Sequence, residues 1–218
     1  MRPVRFANHF SQRGFEVTVV CAEPESIGSA NIDESLLPLV SPTVDVKRVT
    51  LKPAGTVILN RLVRSGYSFH ADEVATRWLD NLMPLLERQV RRHPPSFIYL
   101  TVPPFSVSKL LPWLRKISDA KLIADMRDAW SQWVTTPYAS YLHYRNTLSQ
   151  ERRLLENADL VVVTSEVTRN DLLRIHGKAA NGVSYIPNSF EEYLSPTFQS
   201  LDSKKSQLEI LYVGSFYY

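Results

Sequence analysis

Asp125, Arg127 and Asp128, with Trp130 close behind, are the residues whose types and spacing best suit chemistry in this chain. They end a short apolar run that begins at Lys121 and includes Leu122, Ile123 and Ala124. The run is too brief for a helix, so it reads as a buried strand carrying an acidic, basic, acidic triplet to a sheet edge. In open α/β sheets ligands gather outside the carboxyl ends of the strands. A ligand there would meet carboxylate acceptors on either side of a guanidinium donor. A structural reading fits the same spacing, with Asp128 capping a following helix and Arg127 paired to Asp125.

Such residues need strands alternating with helices to hold them. Pro3, Val4, Ala7 and Phe10 open a helix that Gly14 closes, and residues 15–21 follow as a strand rich in β-branched side chains. A doubly wound sheet ordinarily starts with a strand, so this helix-first order is unusual. Residues 22–43 read as loop with one short helical turn, and 44–51 as a second strand. A short helix over 57–64 precedes a long one over 69–92, striped by Val74, Trp78, Leu82, Leu85, Leu86 and Val90. Pro84 is expected to bend it, while Asp72 and Glu73 at its start and Arg88, Arg91 and Arg92 at its end suit the helix dipole.

Residues 97–102 form a third strand, stopped by Pro103 and Pro104, and a helix over 105–117 leads to the Lys121 strand. A helix over 138–157 places Tyr141, Leu148 and Leu155 seven apart on one face. Residues 160–165 are another strand; Ser165 then caps a helix running to His176 and ending at Gly177. A short strand over 183–187 follows. Residues 189–207 are polar and read as a linker, and 208–213 read as the first strand of a second domain, cut short. Continuous apolar strands alternating with helices make a doubly wound, mostly parallel α/β sheet.

The 218 residues suffice for one domain and the start of another. Hydrophobic residues at 44% and charged residues at 22% exclude a disordered or fibrous chain and provide a sizeable core. A formal charge of +3 is low for a dedicated nucleic-acid binder, so no nucleic-acid partner is expected, whereas an anionic surface or phosphate-bearing ligand fits. The lone Cys21 excludes an intramolecular disulfide, fits a reducing compartment and argues against structural zinc. His9, His70, His93, His143 and His176 lack metal-ligand spacing and read as surface or helix-end residues, so no metal is expected. No run approaches the roughly 18 apolar residues that span a bilayer, and the first residues start no signal peptide, so a cytoplasmic location is expected. There is no G-x-G, so neither a dinucleotide fingerprint nor a Walker loop is present, and no G-x-S-x-G of a hydrolase elbow.

Several segments, in this order, resemble the amino-terminal domain of a bacterial glycosyltransferase of family 4 with GT-B architecture. They are Arg2-Pro3 through Arg13-Gly14-Phe15-Glu16-Val17-Thr18-Val19, then Asp125-Met126-Arg127-Asp128-Ala129-Trp130, Glu151, Ala158-Asp159-Leu160-Val161, Ile186-Pro187-Asn188 and Leu211-Tyr212-Val213-Gly214-Ser215-Phe216. The resemblance implies a Rossmann-like domain over residues 1–188 that holds the acceptor, a linker over 189–207, and the beginning of a donor-binding domain over 208–218. It places Asp125, Arg127, Asp128 and Trp130 on the acceptor side of the cleft, and Asn188, Gly214 and Ser215 at the interdomain hinge. No catalytic residue is assigned.

By the same resemblance the full-length enzyme would use a nucleotide-sugar donor, with no tightly bound cofactor, and a sugar or lipid-linked sugar acceptor. The chain departs from the family pattern in four places. The family's first strand and glycine loop should lie before Arg2, Pro103-Pro104 replaces a histidine, Ser189 and Phe190 replace glycine and a small apolar residue, and no two glutamates form the donor-binding E-x7-E. The expectation is therefore a sheet interrupted between the strands at 15–21 and 97–102, and a chain inactive alone. The alternative is a non-catalytic acceptor- or partner-binding half of a split transferase. Arg88, Arg91, Arg92, Lys109, Arg115 and Lys116, with Trp113, give a basic and aromatic face suited to peripheral contact with an anionic membrane.

Overall fold

A computed structural model describes residues 2–27, 34–51, 73–132, 138 and 140–189. The chain begins with helix α1 (Arg2–Gln12), followed by strand β1 (Thr18–Ala22), a single turn α2 (Pro24–Ile27) and strand β2 (Asp45–Val49). Helix α3 (Glu73–Arg92) leads to β3 (Phe97–Val102), and a 3-10 turn (Phe105–Leu110) runs into α4 (Leu111–Ile117) and β4 (Lys121–Met126). Then come α5 (Tyr141–Asn157), β5 (Leu160–Val163), α6 (Glu166–His176) and β6 (Val183–Tyr185). The helix expected over 57–64 and the linker and strand expected over 189–213 lie outside the described residues, apart from Ser189. Helix α3 continues through Pro84.

All strand pairs are parallel, as continuous apolar strands joined by helices require. They form two hydrogen-bonded sheets, β1-β2 and β3-β4-β5-β6. Among the described residues no strand joins β1 to β3. Both sheets nonetheless face one core. Val20 of β1 and Val49 of β2 pack into the cluster that holds Leu100, Val102, Leu122, Met126 and Val163 of the larger sheet. Leu79 and Leu82 of α3, Leu111 and Leu114 of α4, Leu154 of α5 and Leu172 of α6 cover that face.

Helix α1 covers the opposite face, and its rings set its direction. Phe10 meets Phe97 at the start of β3 with ring centres 5.4 Å apart, and Phe6 meets Tyr99 further along at 5.2 Å. Arg2 reaches Asp125 near the end of β4. So α1 runs antiparallel to the strands, its first residue at their carboxyl edge. It ends at Gly14, whose φ of 87° lies in the left-handed region that favours glycine, and Phe15 then donates its N–H back to the Phe10 carbonyl at 3.1 Å. Phe15 also packs edge-on against Phe97 at 5.5 Å, so α1 and its turn bridge the two sheets.

Candidate functional site

Parallel pairing delivers Val102, Met126, Val163 and Tyr185 to one edge, and the loops beyond them carry the polar residues. Alternation along β4 sends Leu122, Ala124 and Met126 into the core and Asp125 to the α1 face, opposite Thr101 in the register. Asp125 is fully buried there and is held by Arg2, whose Nε lies 3.0 and 2.9 Å from the two carboxylate oxygens and whose Nη2 lies 2.8 Å from Oδ1. Arg2 Nη1 donates to the carbonyls of Ile186 at 2.9 Å and Pro187 at 3.2 Å, and the guanidinium sits 4.9 Å over the Phe6 ring. Burial, followed by the Asp125 charge, pushes the nearby Tyr99 phenol well above the usual tyrosine range, so it stays protonated.

Two expectations change here. Asp125 pairs with Arg2 instead of Arg127, and as a fully buried carboxylate it is closed to an acceptor. The reason is long-range: α1 places a guanidinium 123 residues away in sequence directly over the strand end. Arg127 turns the other way and donates from Nη2 to the Pro103 carbonyl. Its backbone is fixed as well, with its N–H donating to Val102 O at 2.8 Å and its carbonyl accepting from Thr164 Oγ1 at 2.9 Å.

Asp128 is exposed, with no hydrogen bond or ion pair among the described residues, and residues 129–132 after it are not helical, so it caps no helix there. Trp130 is a third correction. It is only 5% exposed and stacks on Phe105 with ring centres 4.5 Å apart and planes 8° from parallel, which makes it a core residue and not a cleft surface. Asn188 is exposed just past the Arg2-held carbonyls, and Arg5 donates to the neighbouring Ser189. Gly214 and Ser215 lie outside the described residues. A half-open cavity of about 560 Å³ lies along α1, between Arg2, Arg5, Asn8 and His9 and the segment of Ile186, Pro187 and Ser189.

A buried polar cluster also meets the edge. Glu151 of α5 is fully buried and accepts from the Ser131 N–H at 3.1 Å, Ser131 Oγ at 2.5 Å and Gln132 Nε2 at 3.1 and 3.3 Å. His176 ends α6, as the sequence suggested, but it is not a surface residue: its Nε2 lies 2.6 Å from the same carboxylate with only 4% of its side chain exposed. The overlooked signal was spacing: Glu151 stands three residues after Leu148 and four before Leu155, on the apolar stripe of α5. A carboxylate on a buried stripe must find donors.

On the basic face, Trp113 packs partly buried against the core, Arg115 pairs with Asp159 at 2.7 Å and Arg91 with Glu87 at 2.8 Å. The face therefore presents charge without the exposed aromatic ring expected of it. Among the described residues no cluster of three or more metal-ligating side chains occurs, and no helix is long and apolar enough to cross a membrane.

A parallel, helix-covered sheet with its polar loops collected at the carboxyl edge is Rossmann-like. A family model described as a glycosyl transferase 4-like domain matches residues 2–189, most of the chain, and the chain belongs to that family. No curated protein matches it.

Proposed function

We propose that these residues form the acceptor-side domain of a glycosyltransferase that moves a sugar from a nucleotide-sugar donor to a cell-envelope or polysaccharide acceptor in the cytoplasm. The observation that carries this reading is Asp128, an exposed carboxylate at the carboxyl edge of a family 4-like domain, set between backbone anchors at Arg127 and Trp130. An exposed carboxylate held this way accepts hydrogen bonds from acceptor hydroxyls, and holding a substrate in one geometry lowers the barrier to transfer. Asn188, beside the clamped Pro187 carbonyl, is assigned to the hinge.

Donor chemistry needs the leaving phosphates stabilised, usually the largest catalytic contribution. The 218 residues contain no E-x7-E for that task, which supports acceptor binding without donor turnover by this chain alone. Titration of the purified chain with a short-chain polyprenyl diphosphosugar tests the acceptor role. Binding is expected, and Asp128→Ala should weaken it about tenfold, equivalent to one lost charge-assisted hydrogen bond of about 1.4 kcal/mol. Binding indifferent to Asp128→Ala would refute the acceptor role, and sugar transfer by the chain alone would refute its inactivity.

A further inference from the structure

We propose that Glu151 is a positioning residue for the loop that presents Asp128, acting through Ser131 and Gln132, with His176 holding the carboxylate from behind. The inference rests on the reading of Asp128 as the acceptor-side group. The loop leaves β4 at Arg127, where its backbone is bonded on both sides, to Val102 O at 2.8 Å and from Thr164 Oγ1 at 2.9 Å. It is next fixed at Trp130 and Ser131. There Trp130 stacks on Phe105, and Tyr138 donates its hydroxyl to the Trp130 carbonyl at 3.2 Å and the Ser131 carbonyl at 3.3 Å. Only Asp128 and Ala129 lie between the two anchors. The second anchor therefore sets where the exposed carboxylate stands.

Glu151 is the centre of that second anchor. Both of its oxygens are used, and every donor but one comes from the loop: the Ser131 N–H, Ser131 Oγ and Gln132 Nε2. The exception is His176, from the end of α6. An ionised carboxylate only accepts, so His176 presents Nε2–H to it, and Ser131 donates both of its hydrogens. A buried carboxylate serving stability alone is often replaceable by a well-packed apolar side chain, whereas this one is spent on three donors of one surface loop.

Two variants, Glu151→Gln and Ser131→Ala, test this in the full chain by amide hydrogen exchange and by the same diphosphosugar titration. Exchange at residues 129–132 is expected to quicken at least tenfold in Glu151→Gln and about threefold in Ser131→Ala, with amides of β3 and β4 unchanged. Diphosphosugar binding should weaken in parallel. Unchanged exchange at 129–132 in a folded variant overturns the inference, as does equal loosening of loop and strands. If Glu151→Gln does not fold, Ser131→Ala alone decides. Loosening confined to the loop, with binding insensitive to Ser131→Ala and to Asp128→Ala alike, overturns the acceptor reading and leaves the positioning of the loop standing. Binding sensitive to Asp128→Ala but not to a loosened loop overturns the link between loop position and acceptor.

Discussion

Arg2 and Asp125 show how one residue pair sets what the edge can do. The pair is almost wholly withdrawn from water, with side chains 10% and 0% exposed, so each charge depends on the other for compensation. Three short N–O contacts and the ring of Phe6 supply it. Arg2→Ala would leave a buried carboxylate without a cation and free the Ile186 and Pro187 carbonyls. It is expected to cost about 3–5 kcal/mol, the range for breaking one side of a buried pair. Urea unfolding followed by circular dichroism measures this, and a loss below about 1 kcal/mol would show the pair to be dispensable. Asp128, two residues past the end of β4, has no such duty, and that freedom suits the acceptor contact proposed for it.

Elements are tied at the opposite edge of the sheet by Asp159, just ahead of β5. Its Oδ2 accepts from the Leu122 N–H at 2.7 Å and from Arg115 Nη2 at 2.7 Å, while its own N–H donates to Leu122 O at 2.7 Å. One side chain thus joins the start of β4, the end of α4 and the start of β5. The Leu122 N–H first, and Arg115 with it, hold the carboxyl below the usual aspartate range. A depressed folded-state pKa stabilises the fold above the unfolded value, near 3.9, and that contribution disappears as pH falls through the folded value. Asp159→Asn is therefore expected to cost about 1 kcal/mol at pH 7, kept small by solvent screening, and progressively less below about pH 4. Parallel urea titrations of the two proteins from pH 7 to pH 2.5 check it, and a difference independent of pH would exclude the charge as the cause.

Across the whole molecule the cations that end α3 and α4 lie at the other end of the sheet from the candidate site, whereas Lys109 follows the carboxyl end of β3. Helices α3 and α4 run antiparallel to the strands, so Arg92 and Lys116 at their last turns sit where the strands begin, far from Asp128. With Trp113 turned to the core, attraction to an anionic leaflet has charge alone to draw on. Peripheral attachment is thus expected to be weak, to rise with the anionic lipid fraction and to fade as salt passes about 0.15 M, where exposed charges are screened beyond about 8 Å. Vesicle cosedimentation that ignores anionic lipid content would eliminate this attachment.

Much of the fold was legible because local pattern and global role agree. Apolar runs too short for helices became parallel strands, Ser165 capped α6 by accepting from the Thr168 N–H at 3.1 Å, and Gly14 closed α1. The triplet at the end of β4 was legible as charge at a sheet edge for the same reason, since strand polarity alone decides which end of a parallel sheet the loops reach. The partners of those charges were not legible. Asp125 could have met Arg127, two residues away, yet α1 brought Arg2 from the far end of the described chain. Trp130 followed the charged triplet like a cleft residue, but Phe105 lay beneath it. Glu151 and His176 are 25 residues apart and on different helices, and only the packing of α5 beside α6 makes them neighbours. Periodicity fixes which face of an element a residue occupies. Which side chain stands opposite is decided by long-range packing, where burying a charge costs so much that the chain must supply a partner from wherever the topology allows.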